Sequence, residues 1–173
     1  MTRYFRMCHA LKKMNHIKKI NRSDREWVKN VFREYWGSEI VVSKGKVHCA
    51  SEVDGYIAFF KNKKAGLITY QIQRKECEII TLNSFDEGRG VGTSLVVKVK
   101  SVAESLKCRR LWLVTTNDNI DGLRFWQRRG FSLVYVHRHA IQDSRKRKPE
   151  IPKIGQYGIP IQDEIEMELS ICQ

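Results

Sequence analysis

The run Asp86-Glu87-Gly88-Arg89-Gly90-Val91-Gly92-Thr93 constrains this chain more than any other segment, because it is glycine-rich and lies between two strongly patterned stretches. Before it comes a β-type run, Glu76–Leu82. After it, Leu95, Val96, Val99, Val102, Ala103 and Leu106 recur at the spacing of one helical face. A strand, a glycine loop and a helix together place free backbone N–H groups at a helix N-terminus. Those donors and the helix dipole suit a phosphate or pyrophosphate. Gly90 and Gly92 let the backbone come close, and Thr93 adds a hydroxyl. Read alone, the loop could still be a plain turn. No GxxxxGK[ST] is present, which argues against a nucleotide triphosphatase. A dinucleotide fold needs its glycine loop after the first strand, whereas this one follows a meander in mid-chain.

The elements around the loop set the fold class. Ser23-Asp24-Arg25-Glu26 has the form of a capping box, and Trp27, Val28, Val31, Phe32 and Tyr35 form one helical face, predicting a helix over 24–35. His16–Ile20 reads as a short edge strand, and residues 37–54 as a long loop with a short strand at 46–50. Gly55–Lys61, Ala65–Gln73 and Glu76–Leu82, with short connections, read as an antiparallel meander. A strand at Leu111–Thr115, a helix at Asn119–Arg129, a strand at Phe131–Val136 and a last strand at Ile165–Leu169 complete the order. Strands and helices are mixed without strict alternation, so the expected class is α+β, an α/β mixed sheet flanked by helices. At 173 residues the chain reads as one domain over 15–173, with a basic extension at 1–14 and an insertion-like loop at 138–162 that holds all three prolines.

Charge is the other strong signal, at +13 overall, with seven basic and no acidic residues in 1–22. Nucleic acid, an anionic membrane surface, a polyanionic cofactor and simple solvation all fit that charge. No apolar run approaches the ~18–20 residues of a transmembrane helix, so no membrane partner is expected. The five cysteines stand apart with no CxxC pair. Reduced thiols, no metal site and a cytoplasmic location are the corresponding expectations.

Two motifs at the right separation carry a family resemblance. Glu87-Gly88-Arg89-Gly90-Val91-Gly92 follows the pattern Q/R-x-x-G-x-G/A. Asn119-Ile120-Asp121-Gly122-Leu123-Arg124-Phe125-Trp126-Gln127-Arg128-Arg129-Gly130-Phe131 follows N-x-x-A-x-x-F-Y-x-K-x-G-F. Over residues 16–137 and 163–169 the chain resembles the GCN5-related N-acetyltransferase (GNAT) superfamily. The resemblance implies a central mixed sheet with a splayed strand pair, and acetyl transfer from acetyl-CoA to a small-molecule or protein amine by direct attack in a ternary complex. It places pantetheine along Leu82, Asn83 and Ser84, and the pyrophosphate on the stretch Glu87, Gly88, Arg89, Gly90, Val91, Gly92 and Thr93. Asn119 would meet the pantetheine arm or the acetyl end, and Phe125 would lie along the cofactor. A homodimer through sheet edges is common in the family. Two positions depart from it: Glu87 is an acid where the family has Gln or Arg, and Trp126 replaces the tyrosine that often reprotonates the leaving thiolate.

Attack by an amine also needs a proton acceptor. Glu76 and Glu78 lie on the strand leading to the thioester and share a face with Leu82 unless a bulge intervenes. Glu78, flanked by Cys77, Ile79 and Ile80, is the catalytic candidate, since burial would raise its pKa. A solvent-facing strand glutamate is the competing reading. Tyr35 and Trp36 either wall the acceptor pocket or pack the core. Two rival functions remain at this stage: a non-catalytic acyl-CoA sensor and, less favoured, a nucleic-acid-associated protein using its basic arm.

Overall fold

The computed structural model describes residues 16–86 and 88–171; the basic extension 1–14 and the expected phosphate-loop residue Glu87 therefore lie outside the described residues. In chain order the elements are β1 (His16–Lys19), a 3₁₀ turn (Arg22–Asp24), α1 (Arg25–Trp36), β2 (Ile40–Ser43), β3 (Lys46–Cys49), β4 (Asp54–Phe60), β5 (Lys63–Gln73) and β6 (Glu76–Ser84). They continue with α2 (Val91–Ser105), β7 (Arg110–Thr116), α3 (Ile120–Gln127), β8 (Ser132–His137), α4 (Ala140–Arg147) and β9 (Glu164–Ser170). Seven strands make one sheet in the order β1-β4-β5-β6-β7-β9-β8. Only β6 and β7 run parallel within it. The mixed sheet flanked by helices is the expected class.

The sheet separates two cores. On one face α2 buries Leu95 and Val99 against Ile68, Leu111 and Met167. On the other, α1 buries Val28 and Phe32 against Ile57, Leu67 and Ile80. Complete burial of a side chain of this size contributes roughly 1.5–3 kcal/mol, so these two layers hold the sheet in place.

Local chemistry moved several boundaries. The meander turns are the two-residue pairs Lys61-Asn62 and Arg74-Lys75, all with φ between 48° and 61°. That geometry matches strand twist, and β5 consequently starts at Lys63 rather than Ala65. The helix cap lies upstream of the expected box: the Asn21 side chain accepts from Ser23 and Asp24 N–H, and the Asp24 carboxylate accepts from Asn21 N–H. Ser23 and Glu26 form no such box. Residues 37–54, expected as a loop, contain the β2–β3 hairpin. Residues 138–162 contain α4, which buries Ile141 and Ser144 and whose start is held by His139 N–H donating to Asp163 Oδ1 at 2.8 Å. With few apolar positions among its charges, α4 left no legible stripe.

A buried ionic cluster joins the β2–β3 hairpin to the sheet. Glu166 accepts from Lys44 Nζ (2.7 Å) and Arg110 Nη1 (2.9 Å), and its other contact is His137 Nε2 at 3.0 Å. Burial would raise the Glu166 pKa, but the hydrogen bonds from Lys44, His137 and Arg110 outweigh it and hold the group at about 2. A depressed folded-state pKa stabilises above the unfolded value and loses that stabilisation as pH falls toward the folded one. Glu166→Gln is therefore expected to cost about 3 kcal/mol at pH 7 and to flatten the acid limb of unfolding between pH 4.5 and 2, read by denaturant titration.

Candidate active site

Strands β6 and β7 pair from Glu76↔Arg110 only as far as Ile79↔Leu113. Beyond that β6 runs on to Ser84 and β7 to Thr116, so their edges part. The cause lies on the other side of β6: Thr69 pairs Thr81 while Tyr70 pairs Ile79, leaving Ile80 unopposed. A bulge bends a strand and sharpens its twist, and here it turns β6 away from β7. It also reverses side-chain parity. Ile80 packs in the α1 core and Leu82 against the α2 core. Glu78 and Leu82 thus lie on opposite faces, correcting the shared face expected from simple alternation.

On the α2 face the opening leads into a groove of about 620 Å³ lined by Leu82, Ser84, Gly88, Gly90–Thr93, Asn119, Phe125 and Arg129. Gly90, at φ 76°, caps α2 without a side-chain hydrogen bond, so the first N–H groups of the helix are left to an outside acceptor. A Cβ on Gly92 would stand 3.2 Å from the Phe125 ring, so glycine lets α2 and α3 approach here. The Arg129 guanidinium lies 3.3 Å from the Phe125 ring centroid and donates to Thr93 Oγ1 and the Phe125 carbonyl. No carboxylate pairs with it among the described residues. Burial, with Arg128 nearby, pulls its pKa down to about 10, so it stays charged at neutral pH. Arg129 occupies an unspecified place in the second motif, and its only sequence signal was the Arg128-Arg129 doublet. Past Thr93, Phe125 and Arg129 the groove continues into a channel of about 710 Å³ that adds Lys100, Arg124 and Arg128. Asn83 and Arg89 face elsewhere: Asn83 Oδ1 accepts from Trp36 Nε1 at 3.1 Å, and Arg89 donates to Asp86 at 2.6 Å. Trp126 is buried between Phe125 and Phe131, with ring centroids 5.0 and 5.1 Å away, and acts as core.

The α1 face carries a second, more enclosed cavity of about 340 Å³. Tyr35 and Trp36 wall it, as do Ser43, Ile80, Val114 and Glu164; α4 and the segment after it supply Ile141, Lys148, Ile151 and Ile161. Asn119 lines both cavities. Its Oδ1 accepts from Gly122 N–H at 3.0 Å and its Nδ2 donates to Thr115 Oγ1 at 2.8 Å, which fixes the side chain at the junction. Glu78 is buried but is not itself on the cavity wall. It accepts from Ser43 Oγ at 2.6 Å, and Ser43 is on the wall. Burial raises the Glu78 pKa, opposed by the Ser43 hydrogen bond. His48 Nε2 lies 3.7 Å from Glu78 without a hydrogen-bond partner, and burial lowers its pKa to about 4, so it is neutral at pH 7. Ser43 and Glu164 were not anticipated from sequence, whereas Lys148 ends the basic run Arg145–Lys148, which reads from sequence as a hold for an anionic acceptor, a nucleic-acid contact or a solvated loop.

A family model described as the acetyltransferase (GNAT) family matches residues 19–131. The chain belongs to the GNAT acetyltransferase family. The uncharacterized protein YdhI of Bacillus subtilis (strain 168) is 39% identical over 147 residues, covering 84% of this chain and 91% of YdhI. A Bacillus subtilis acetyltransferase solved in complex with CoA superposes with a TM-score of 0.67 at 18% identity, covering 92% of this chain and all of that one. A GNAT acetyltransferase from Elizabethkingia anophelis with acetyl-CoA bound gives 0.65 at 16% identity, covering 90% and 99%. These two likenesses establish the GNAT fold.

The matched span of this GNAT chain stops before α4, so one wall of the enclosed cavity comes from outside it. That wall is fastened to the β7–α3 turn. Asn117 Nδ2 donates to the Pro160 carbonyl at 2.9 Å, and its Oδ1 accepts from Gln162 and Asp163 N–H at 2.9 and 3.0 Å. Asn117→Ala is expected to cost about 1–3 kcal/mol and to make residues 148–162 markedly more sensitive to limited proteolysis.

Proposed function

We propose that this protein transfers the acetyl group of acetyl-CoA to the amine of a small acceptor held in the 340 Å³ cavity. The observation that carries this reading is Asn119, the side chain common to the cofactor-sized groove and the enclosed cavity, beside the gap between β6 and β7. The CoA-bound neighbours support the donor. Pantetheine runs along the open edge of β6 at Leu82–Ser84, its pyrophosphate takes the amides of 88–93, and the cationic channel of Lys100, Arg124, Arg128 and Arg129 takes the phosphorylated nucleoside. No described helix is long and apolar enough to cross a membrane. Cys49 and Cys77 stand outside any disulfide, which fits a reducing cytoplasm.

In the reaction a neutral amine attacks the thioester carbonyl, the C–N bond forms and the C–S bond breaks. The amine proton passes through Ser43 Oγ to Glu78, a carboxylate that burial makes more basic than usual. With Trp126 in the tyrosine position, the CoA thiolate takes its proton from water in the groove. The same tryptophan also favours a second reading, a non-catalytic acyl-CoA sensor, which would bind acetyl-CoA and release no thiol with any amine.

Acetyl-CoA at ~100-fold excess over its dissociation constant should stabilise the fold by about 2.7 kcal/mol, measured as a thermal shift. Arg129→Gln should weaken acetyl-CoA by about 10-fold or more, with a smaller loss at high salt. Glu78→Gln should lower turnover ~10²–10⁴-fold with acetyl-CoA binding kept. Wild-type activity should rise with pH as Glu78 loses its proton, and Glu78→Gln should lack that limb. Ser43→Ala should also lower turnover, because it removes the hydroxyl that passes the proton on, and the limb of its residual activity should move to higher pH with loss of the hydrogen bond that lowers the Glu78 pKa. Wild-type turnover in Glu78→Gln would exclude this proton path.

A further inference from the structure

The enclosed cavity carries two buried charges of opposite sign that do not meet each other. Lys148, just past the end of α4, is 5% exposed, and its Nζ donates to the Ile40 carbonyl at 2.6 Å. That bond takes one of the three donors of an ammonium group. Among the described residues no carboxylate stands within ion-pair distance of it; Glu150, which also lines the cavity, acts on it only from beyond that distance. Glu164 is 2% exposed; its Oε1 accepts from Ser144 Oγ at 3.0 Å and its Oε2 from Lys44 N–H at 3.0 Å. No cationic side chain among the described residues pairs with it. An ion held away from water costs several kcal/mol unless a counter-charge offsets it. Both groups line a space whose other walls are largely apolar, among them Tyr35, Trp36, Val114, Ile141, Ile151 and Ile161. An acceptor bearing one charge would compensate one of these groups and leave the other stranded.

We infer that the acceptor is a small amino acid with an apolar or aromatic body, its amino end toward Glu164 and its carboxylate on Lys148. The inference rests on the cavity being the acceptor site. A volume of about 340 Å³ lies near the lower end of the ~300–1,000 Å³ typical of ligand pockets, which favours a small free molecule over a folded protein surface. Polyamines and other polycations lack the anion that Lys148 requires. Lys148 is thus the specificity-determining residue, and it comes from the part of the chain that the family match does not include.

The test separates binding from turnover. N-acetyl-L-phenylalanine and N-acetylphenethylamine, products that differ only by the carboxylate, are titrated calorimetrically into the CoA-saturated protein. Wild type should bind the carboxylate at least about tenfold more tightly, the scale of one charge-assisted hydrogen bond. Lys148→Gln, which keeps a donor for Ile40 but loses the charge, should reduce the ratio to less than about twofold, and Lys148→Arg should restore it. Each variant is first checked for a wild-type thermal shift with acetyl-CoA; if Lys148→Gln does not fold, the wild-type ratio decides alone. Equal affinity for the pair, or no binding of either at millimolar concentration, overturns the inference. Acetylation of phenethylamine as readily as of L-phenylalanine overturns it too, while leaving acetyl transfer standing. Loss of the acetyl-CoA thermal shift itself would sink the transferase reading instead.

Discussion

The unopposed residue in β6 governs the architecture of the site. With Thr69 set against Thr81 and Tyr70 against Ile79, Ile80 adds one residue to one edge of an otherwise regular ladder. The surplus turns β6 from β7, and past Ile79↔Leu113 the two strand edges no longer pair with each other. In a sheet interior such edges would be a liability. Here they face a groove on one side and an enclosed cavity on the other. The bulge also divides the side chains, sending Leu82 toward the glycine loop and leaving Glu78 with Ser43 behind the cavity wall. One local irregularity therefore separates the groove from the more enclosed cavity.

The two sides are built by different physics. The groove relies on main-chain amides at a helix start, a property of a short contiguous segment, with cations added by Lys100, Arg124, Arg128 and Arg129. Glycine is required there by a left-handed backbone at Gly90 and by the approach of Phe125 to Gly92. The more enclosed cavity relies on side chains from distant elements, locked by hydrogen bonds such as Lys44 N–H to Glu164, 120 residues apart. Asn117 to Asn119 join the sides: Asn117 holds the wall segment, and Asn119 stands at the junction. A family of enzymes can keep the first arrangement and vary the second, which is consistent with the matched span ending before α4.

What was legible in the sequence follows this division. The glycine run and the Asn119–Phe131 motif could be recognised because the constraints behind them act over a dozen residues or fewer. Glu78 could be picked out by its apolar neighbours, and the structure buries it as that pattern implied. Its face could not be read correctly beyond Ile79-Ile80, since two successive apolar residues carry no polarity to mark a reversed alternation. Of the β2–β3 hairpin only the strand at 46–50 was legible; β2 and α4 were not, because each is short and α4 mixes charge with few apolar positions. Arg129 had only a neighbouring arginine to signal it.

By itself, then, the sequence determined the mixed-sheet class, the glycine loop before α2 and the family, because local backbone geometry and helix starts are encoded in neighbouring residues. Tertiary structure alone decided where the strands part, that Ser43 stands between Glu78 and the cavity, and that Lys148 and Glu164 share one space. Those facts depend on strand register and on contacts between distant elements, such as Lys148 with the Ile40 carbonyl and Glu164 with Lys44 N–H, each more than a hundred positions apart, and burial, which sets the cost of each charge, exists only once the layers have packed.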